Sequence, residues 1–263
     1  MTFEIDLAGH RALVTGGGQG VGRTISLTLA RAGAEVLVND LIEERCSIVV
    51  DEIVATGGAA VAAPFDVTDL DAVHAAVARA GAPDILVNNA GNAGAPSIAD
   101  SFDLKLFVET DPASWDRFIR VNFYGVLNCV HACMPAMMEG GWGRIITIIS
   151  DSARAGDPRT AVYAGAKAAA AGFTRSIATE GGRYAVTANC VALATMNTTP
   201  PQDRREPSPE SAAFMKEAMK RYIIRRQGEP EDVAGMVTYL VSPMAEWITG
   251  QTIPVNGGYT LAL

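Results

Sequence analysis

Residues 11–40 constrain the fold of this chain more than any other stretch. Arg11-Ala12-Leu13-Val14-Thr15 is a short strand-like run that breaks into Gly16-Gly17-Gly18-Gln19-Gly20-Val21-Gly22. An apolar segment follows from Val21 to Ala32, with Val21, Ile25 and Leu29 at helical spacing. Glu35-Val36-Leu37-Val38-Asn39-Asp40 then reads as a second strand. Strand, glycine loop, helix and strand within about 30 residues make a βαβ unit with its loop at a helix N-terminus. Glycines suit that loop because backbone must approach a pyrophosphate closely. The helix end supplies N–H groups and a positive dipole.

Two nucleotide readings compete for the loop. Gly17-x-x-x-x-Gly22-Arg23-Thr24 approaches a mononucleotide phosphate loop, but Arg23 stands where that chemistry requires Lys. The dinucleotide reading gains from Asp40, at the end of the second strand. A carboxylate there accepts hydrogen bonds from ribose hydroxyls and repels a 2′-phosphate. No Arg or Lys lies between Gly16 and Gly22 to receive such a phosphate. The pattern therefore favours NAD over NADP, against the plainer alternative of Asp40 as a surface turn residue.

The alternation continues. A helix is predicted near Ile42–Thr56, a strand near Ala60–Pro64, and a helix opening at Asp66-Val67-Thr68-Asp69 and running through Arg79, with Thr68 or Asp69 as its cap. Asp84-Ile85-Leu86-Val87 is a fourth strand ending in Asn88-Asn89-Ala90-Gly91, small and amide residues suited to a ligand crevice. An irregular segment spans Asn92 to Asp111, and one long helix is predicted from about Pro112 to Met138, carrying Asn122 on a mostly apolar face. Gly143–Ser150 and Ala185–Ala192 read as buried strands, and Thr252–Val255 as the last. The polar segment from Thr195 to Pro209 is placed to act as a lid. Without Pro/Gly/Ser linkers or internal repeats, the chain reads as one doubly wound α/β domain over residues 1–263, with a mostly parallel seven-stranded sheet and a lid region at about 193–225.

Composition excludes several partners. With 21 Lys and Arg against 29 Asp and Glu the net charge is −8, and no basic run exceeds a pair, which argues against nucleic acid and anionic membranes. The N-terminus lacks the pattern of a signal peptide, and no apolar run is long enough to span a bilayer, so a cytoplasmic protein is expected. Cys46, Cys129, Cys133 and Cys190 form no C-x-x-C and no cluster with His or carboxylates, so no metal site is expected.

Tyr163-Ala164-Gly165-Ala166-Lys167 follows Ser150 by thirteen positions. Tyr and Lys four apart share one helix face, which sets an ammonium beside a phenol. A nearby cation favours the phenolate, and a phenol with a reference pKa of about 10 becomes a usable base only when brought toward neutrality. The spacing alone is common, and an exposed Tyr with a solvated Lys would produce it too.

Taken together, Thr15-Gly16-x-x-x-Gly20-x-Gly22, Asn88-Asn89-Ala90-Gly91, Asn122, Ser150 and Tyr163-x-x-x-Lys167 resemble the short-chain dehydrogenases/reductases, a likeness extending to Thr249-Gly250-Gln251 and Val255-Asn256-Gly257-Gly258. The resemblance implies that Tyr163 is the acid/base, that Lys167 lowers its pKa and holds the nicotinamide ribose, and that Ser150 orients the substrate oxygen. Asn122 would hold a water linking Lys167 to solvent. Gly16, Gln19, Gly20, Val21, Gly22, Asp40, Asp66, Val67, Asn88, Ala90, Gly91, Tyr163, Lys167 and Thr198 would line an NAD site. A homotetramer (or dimer) is also implied, with Trp247 and the C-terminal segment as contacts. Three departures stand out: Leu193-Ala194 replace the usual Pro-Gly, the segment from Asn92 to Asp111 is long, and Asn256 replaces the usual Asp.

The expected activity is NAD-dependent interconversion of a secondary alcohol and a ketone. Leu193, Met196, Phe214 and Met215 suggest a hydrophobic substrate, an alicyclic or steroidal alcohol or a 3-hydroxyacyl-CoA thioester, although packing of the lid explains them equally. Cations among Lys216–Arg226 offer contacts to a CoA phosphate, although a solvated helix face explains them better. Two rivals are an NADPH-dependent 3-ketoacyl reductase and a dinucleotide-sensing protein without turnover.

Overall fold

The computed structural model describes residues 5–91, 105–199, 206 and 208–261. Its strands are β1 (Arg11–Val14), β2 (Glu35–Val38), β3 (Ala59–Ala62), β4 (Ile85–Asn88), β5 (Gly143–Ser150), β6 (Val186–Leu193) and β7 (Thr252–Val255). All pair in parallel, in the order β3-β2-β1-β4-β5-β6-β7. The reversal between β1 and β4 is the switch point where sheets of this kind open a crevice at the strands' C-terminal ends.

The helices are α1 (Gly20–Arg31), α2 (Glu43–Ala55), α3 (Leu70–Ala80), α4 (Asp116–Ile119), α5 (Gly125–Gly140), α6 (Ser152–Ala155), α7 (Ala161–Gly181), α8 (Pro209–Ala218) and α9 (Pro230–Val241). Side chains alternate across each strand, so the sheet is buried on both faces. Val14, Val38, Val87, Ile146 and Val191 pack with Ile25 and Leu29 of α1, Cys46 and Val49 of α2 and Val233 and Val237 of α9. Leu13, Leu37, Leu86, Ile145 and Ala188 pack on the other face with Val73 of α3, Cys129 and Cys133 of α5 and Ala170 and Ile177 of α7. All four cysteines are free and buried, as small core residues should be.

One predicted helix is several elements. Between Pro112 and Gly140 the chain makes a 3₁₀ turn (Pro112–Ser114), α4, a π-helical turn (Arg120–Tyr124) and then α5. The π turn holds Asn122, and such one-residue expansions are frequent at functional sites. The cap of α3 is Asp69, whose side chain accepts from the Ala72 N–H at 3.0 Å. Of the irregular segment after Gly91, residues 92–104 lie outside the described residues, and a 3₁₀ turn follows at Phe107–Glu109. Among the described residues, no helix is long and apolar enough to cross a membrane.

Candidate active site

The glycine loop is built from close contacts. Gly16 and Gly20 adopt φ of 61° and 53°, a region that favours glycine, and a Cβ on Gly22 would sit 2.1 Å from the Gly16 carbonyl oxygen. Thr15 anchors the loop to the neighbouring strand end: its hydroxyl accepts from the N–H groups of Asn89 (3.0 Å) and Ala90 (3.1 Å). Asn89 returns its amide to the carbonyls of Thr15 and Gly16. Gln19 precedes α1 without capping it, and the first turn carries no acid, which leaves the helix end available to an anion. Val21 is the second residue of α1 and is buried.

Asp40 follows β2 with 6% exposure, and its carboxylate accepts from the Ile42 N–H at 3.1 Å. A Cβ on Gly18 would lie 2.9 Å from the same carboxylate, so loop and acid share one corner. Arg45 of α2 is there too, 3.6 Å from Asp40. Sequence reading missed this guanidinium because it scanned only the glycine loop for cations; its position one turn into the next helix was the available signal.

Asp66 accepts from the Thr68 N–H at 2.8 Å, and Val67 packs under Gly125 while its carbonyl takes the Asn128 amide at 2.9 Å. Asn88 ends β4 with both side-chain polar atoms buried and without a hydrogen-bond partner. Buried amides are normally satisfied, so these orphans at the crevice are consistent with a further polar group belonging there. Thr198 lies against the loop, since a Cβ on Gly20 would meet its Cβ and Cγ2 at 3.4 Å.

Two of the four expected catalytic residues meet at Gly91: a Cβ there would lie 3.0 Å from Asn122 Oδ1 and 3.1 Å from Lys167 Nζ. Asn122 is fully buried and donates its amide to the Phe118 carbonyl at 2.9 Å, a bond back along its own helix. Lys167 donates to the Ile148 carbonyl at 2.8 Å, and burial pulls its pKa down to about 8. Ser150 Oγ accepts from the Ser152 hydroxyl (2.8 Å) and N–H (3.2 Å).

The Tyr163 phenol is pushed above its ordinary value, first by burial, with the Ser150 hydroxyl acting the other way. The Lys167 ammonium is itself desolvated and held on a backbone carbonyl.

The expected apolar cleft also shifts. Leu193 packs into the core layer beneath α9, and Met196 bridges to Gly228; the Phe214 side chain lies outside the described residues. The cavity that touches Tyr163 is instead walled by Phe107, Trp115, Phe118 and Val162, with a volume of about 310 Å³. Two residues beside the site escaped sequence reading altogether. Asp151, 1% exposed, accepts from Arg154 (2.8 Å), Thr260 (2.7 Å) and Asn256 (2.5 Å). Asn256 thus has the consequence that its sequence position alone did not reveal: it clasps the C-terminal segment to the residue after Ser150. Asp157 similarly receives the Tyr259 hydroxyl, with Arg221 3.5 Å away.

Comparison with known proteins agrees with this geometry. The profile of a family described as enoyl-(acyl carrier protein) reductase matches residues 16–260. The 7alpha-hydroxysteroid dehydrogenase of Escherichia coli (strain K12) is 33% identical over 259 residues, covering 97% of this chain and 96% of that protein. The chain belongs to the short-chain dehydrogenases/reductases. As a member of that family it is an oxidoreductase of CH–OH and keto groups. Two crystal structures show how closely the dehydrogenase fold is kept. The gluconate 5-dehydrogenase of Burkholderia cenocepacia, in complex with NADP and tartrate, superposes with a TM-score of 0.86 at 34% identity over 98% of both chains. The 3-oxoacyl-(acyl-carrier protein) reductase of Brucella melitensis with bound NAD gives 0.86 at 30% identity, over 98% of this chain and 94% of that one.

Proposed function

We propose that this dehydrogenase binds NAD and interconverts a secondary alcohol and a ketone, with Tyr163 moving the proton. The observation that carries the reading is Tyr163 standing one turn before Lys167 on α7, with Lys167 Nζ and Asn122 Oδ1 meeting at Gly91. The nicotinamide supplies hydride acceptance and donation. Ser150, held by Ser152, keeps its own proton for the substrate oxygen and so orients it. Tyr163 Oη takes the alcohol proton in oxidation and returns it in reduction. A phenol held neutral by burial is poised to give its proton to a ketone, so reduction runs at neutral pH and oxidation gains as pH rises.

The orphaned Asn88 amide, the close-packed glycine loop and the uncapped α1 fit a dinucleotide, and Asp40 favours ribose hydroxyls over a 2′-phosphate. Asp66 and Val67 would meet the adenine, and Ala90 and Gly91 the adenosine side. Thr198, beside Gly20, would close over the cofactor as part of a lid at about 193–225. Arg45 is the observation favouring a second reading, NADP, since a guanidinium at that corner suits a phosphate. The relatives' names point to a hydroxysteroid, a 3-oxoacyl thioester or gluconate, and the aromatic cavity wall favours the first two. A homotetramer fits the exposure of Trp247 and the apolar surface of α5 and α7 around Leu127, Met138 and Phe173. Sedimentation equilibrium returning a monomer at micromolar concentration would remove that assignment.

One experiment addresses site and cofactor together. Tyr163→Phe should lose at least about a thousandfold in kcat while NADH still quenches tryptophan fluorescence with unchanged midpoint. Retained turnover would overturn the role of Tyr163. In the same titration NADH should bind tighter than NADPH; the opposite order would favour the reading on Arg45.

A further inference from the structure

The cavity that touches Tyr163 presents aromatic rings, and local hydrogen bonds fix them. Phe107 and Trp115 stack with ring centroids 5.2 Å apart and planes at 23°. Thr110 fastens both through one hydroxyl, which donates to the Phe107 carbonyl at 2.7 Å and accepts the Trp115 indole N–H at 2.8 Å. The turn carrying Phe107 is closed again by the Glu109 carboxylate, which accepts from the Leu106 N–H at 3.0 Å. Phe118 of α4 adds a further ring to the wall, and its carbonyl receives the Asn122 amide at 2.9 Å. Wall and expected catalytic residues thus share one stretch of backbone.

The stack keeps an exposed face. Trp115 covers one side of Phe107, yet Phe107 remains 49% exposed, beside the exposed Leu106 and Val108. Consecutive apolar side chains left in water mark a place where an apolar partner belongs. A flat ring laid on Phe107 would continue the stack in the offset geometry that aromatic quadrupoles favour, a gain additional to buried area. The wall is set before binding, so a rigid ring loses little freedom there, whereas a flexible chain must be ordered against it. At about 310 Å³ the cavity stands near the small end of ligand pockets, about 300 Å³, which suits a compact ring.

We propose that this cavity selects ketones and alcohols carrying a flat, unsaturated ring, with Trp115 as the specificity-determining residue and Thr110 as the residue that positions it. The ring lies against Phe107, Trp115 and Phe118 while the carbonyl reaches Tyr163. The proposal rests on the reading of Tyr163 as the proton-transferring group and narrows the substrate class of that site.

Methyl ketones of equal carbon count test it: 4-phenyl-2-butanone, 4-cyclohexyl-2-butanone and 2-decanone. Their carbonyls are alike, and the remote group is a flat ring, a puckered ring or a chain. Apolar area alone ranks the phenyl compound last, whereas stacking ranks it first. Its kcat/KM should exceed that of the other two by about fivefold. In W115L that ratio should fall to about one, with the loss carried mainly by KM for the phenyl ketone. NADH binding, followed by the fluorescence of the nicotinamide, reports that the variant is folded. T110V should lower kcat/KM on the phenyl ketone in the same way, and T110S, which keeps the hydroxyl, should restore it. A T110V enzyme with wild-type KM would overturn the positioning role of Thr110. Equal rates on all three ketones, or an equal loss on all three in W115L, would overturn ring selection while leaving Tyr163 chemistry intact. If no ketone turns over, the reading of Tyr163 is what fails, and calorimetric titration of the same compounds into the NADH complex still decides the ring. Tighter binding of the phenyl compound in wild type, lost in W115L, supports the selection; equal or absent binding refutes it.

Discussion

Lys167 is 3% exposed, with its ammonium on the Ile148 carbonyl, and burial draws its pKa from 10.5 to about 8. Between those values the unfolded chain holds more protons on this residue than the folded one, so its contribution to stability rises with pH across that window. Below pH 8 the full cost of burying the charge is present. Comparing urea unfolding of wild type and Lys167→Met should show the difference moving in favour of wild type by up to about 3 kcal/mol between pH 7.5 and 10. A difference independent of pH would mean the ammonium is better solvated than its burial implies. The Tyr163 shift has the opposite sign and acts above pH 10, outside this window. At this scale the sequence was readable for identity and not for state: residues four apart on α7 had to share a face, but no spacing rule says how dry that face is.

The elements around Ser150 are joined by groups distant in the chain. Asn256 and Asp151 are separated by 105 positions, and their bond ties the end of β5 to the segment after β7. Asn256→Asp would set a second carboxylate against a buried one, and like charges that close cannot both ionise. We expect a loss of about 2–4 kcal/mol at pH 7 and a raised KM. Stability should return as pH falls, because the folded pair then holds the proton that the unfolded chain releases. Asp151→Asn/Asn256→Asp should recover much of the loss, and failure to do so would show that Arg154 and Thr260, not Asn256, secure the segment. Strands and glycine loop were legible because each is a local pattern of period, turn residue and length. The π turn at Arg120–Tyr124 was not, since its apolar spacing also satisfies an unbroken helix. Arg45, Asp151 and Asp157 escaped for a related reason: their meaning lies in partners that only the folded chain brings near.

Across the whole molecule, two apolar layers enclose one parallel sheet, and the crevice lies along the strand ends where both layers stop. The doubly wound architecture followed from repeated βα alternation, while the aromatic wall of the Tyr163 cavity did not, because Phe107, Trp115 and Val162 come from separate segments. The two layers also carry separate chemical reporters. Cys46 sits in the layer of α1, α2 and α9, whereas Cys129, Cys133 and Cys190 sit in the opposite one. Burial drives the Cys129 and Cys133 thiols upward, so they react only when the chain opens. Pulsed alkylation read by mass spectrometry would therefore time the opening of each side of the sheet without any engineered label. Equal labelling rates at all four sulfurs would mean the molecule opens as one cooperative unit; an early Cys46 would mean the layer of α1, α2 and α9 loosens first.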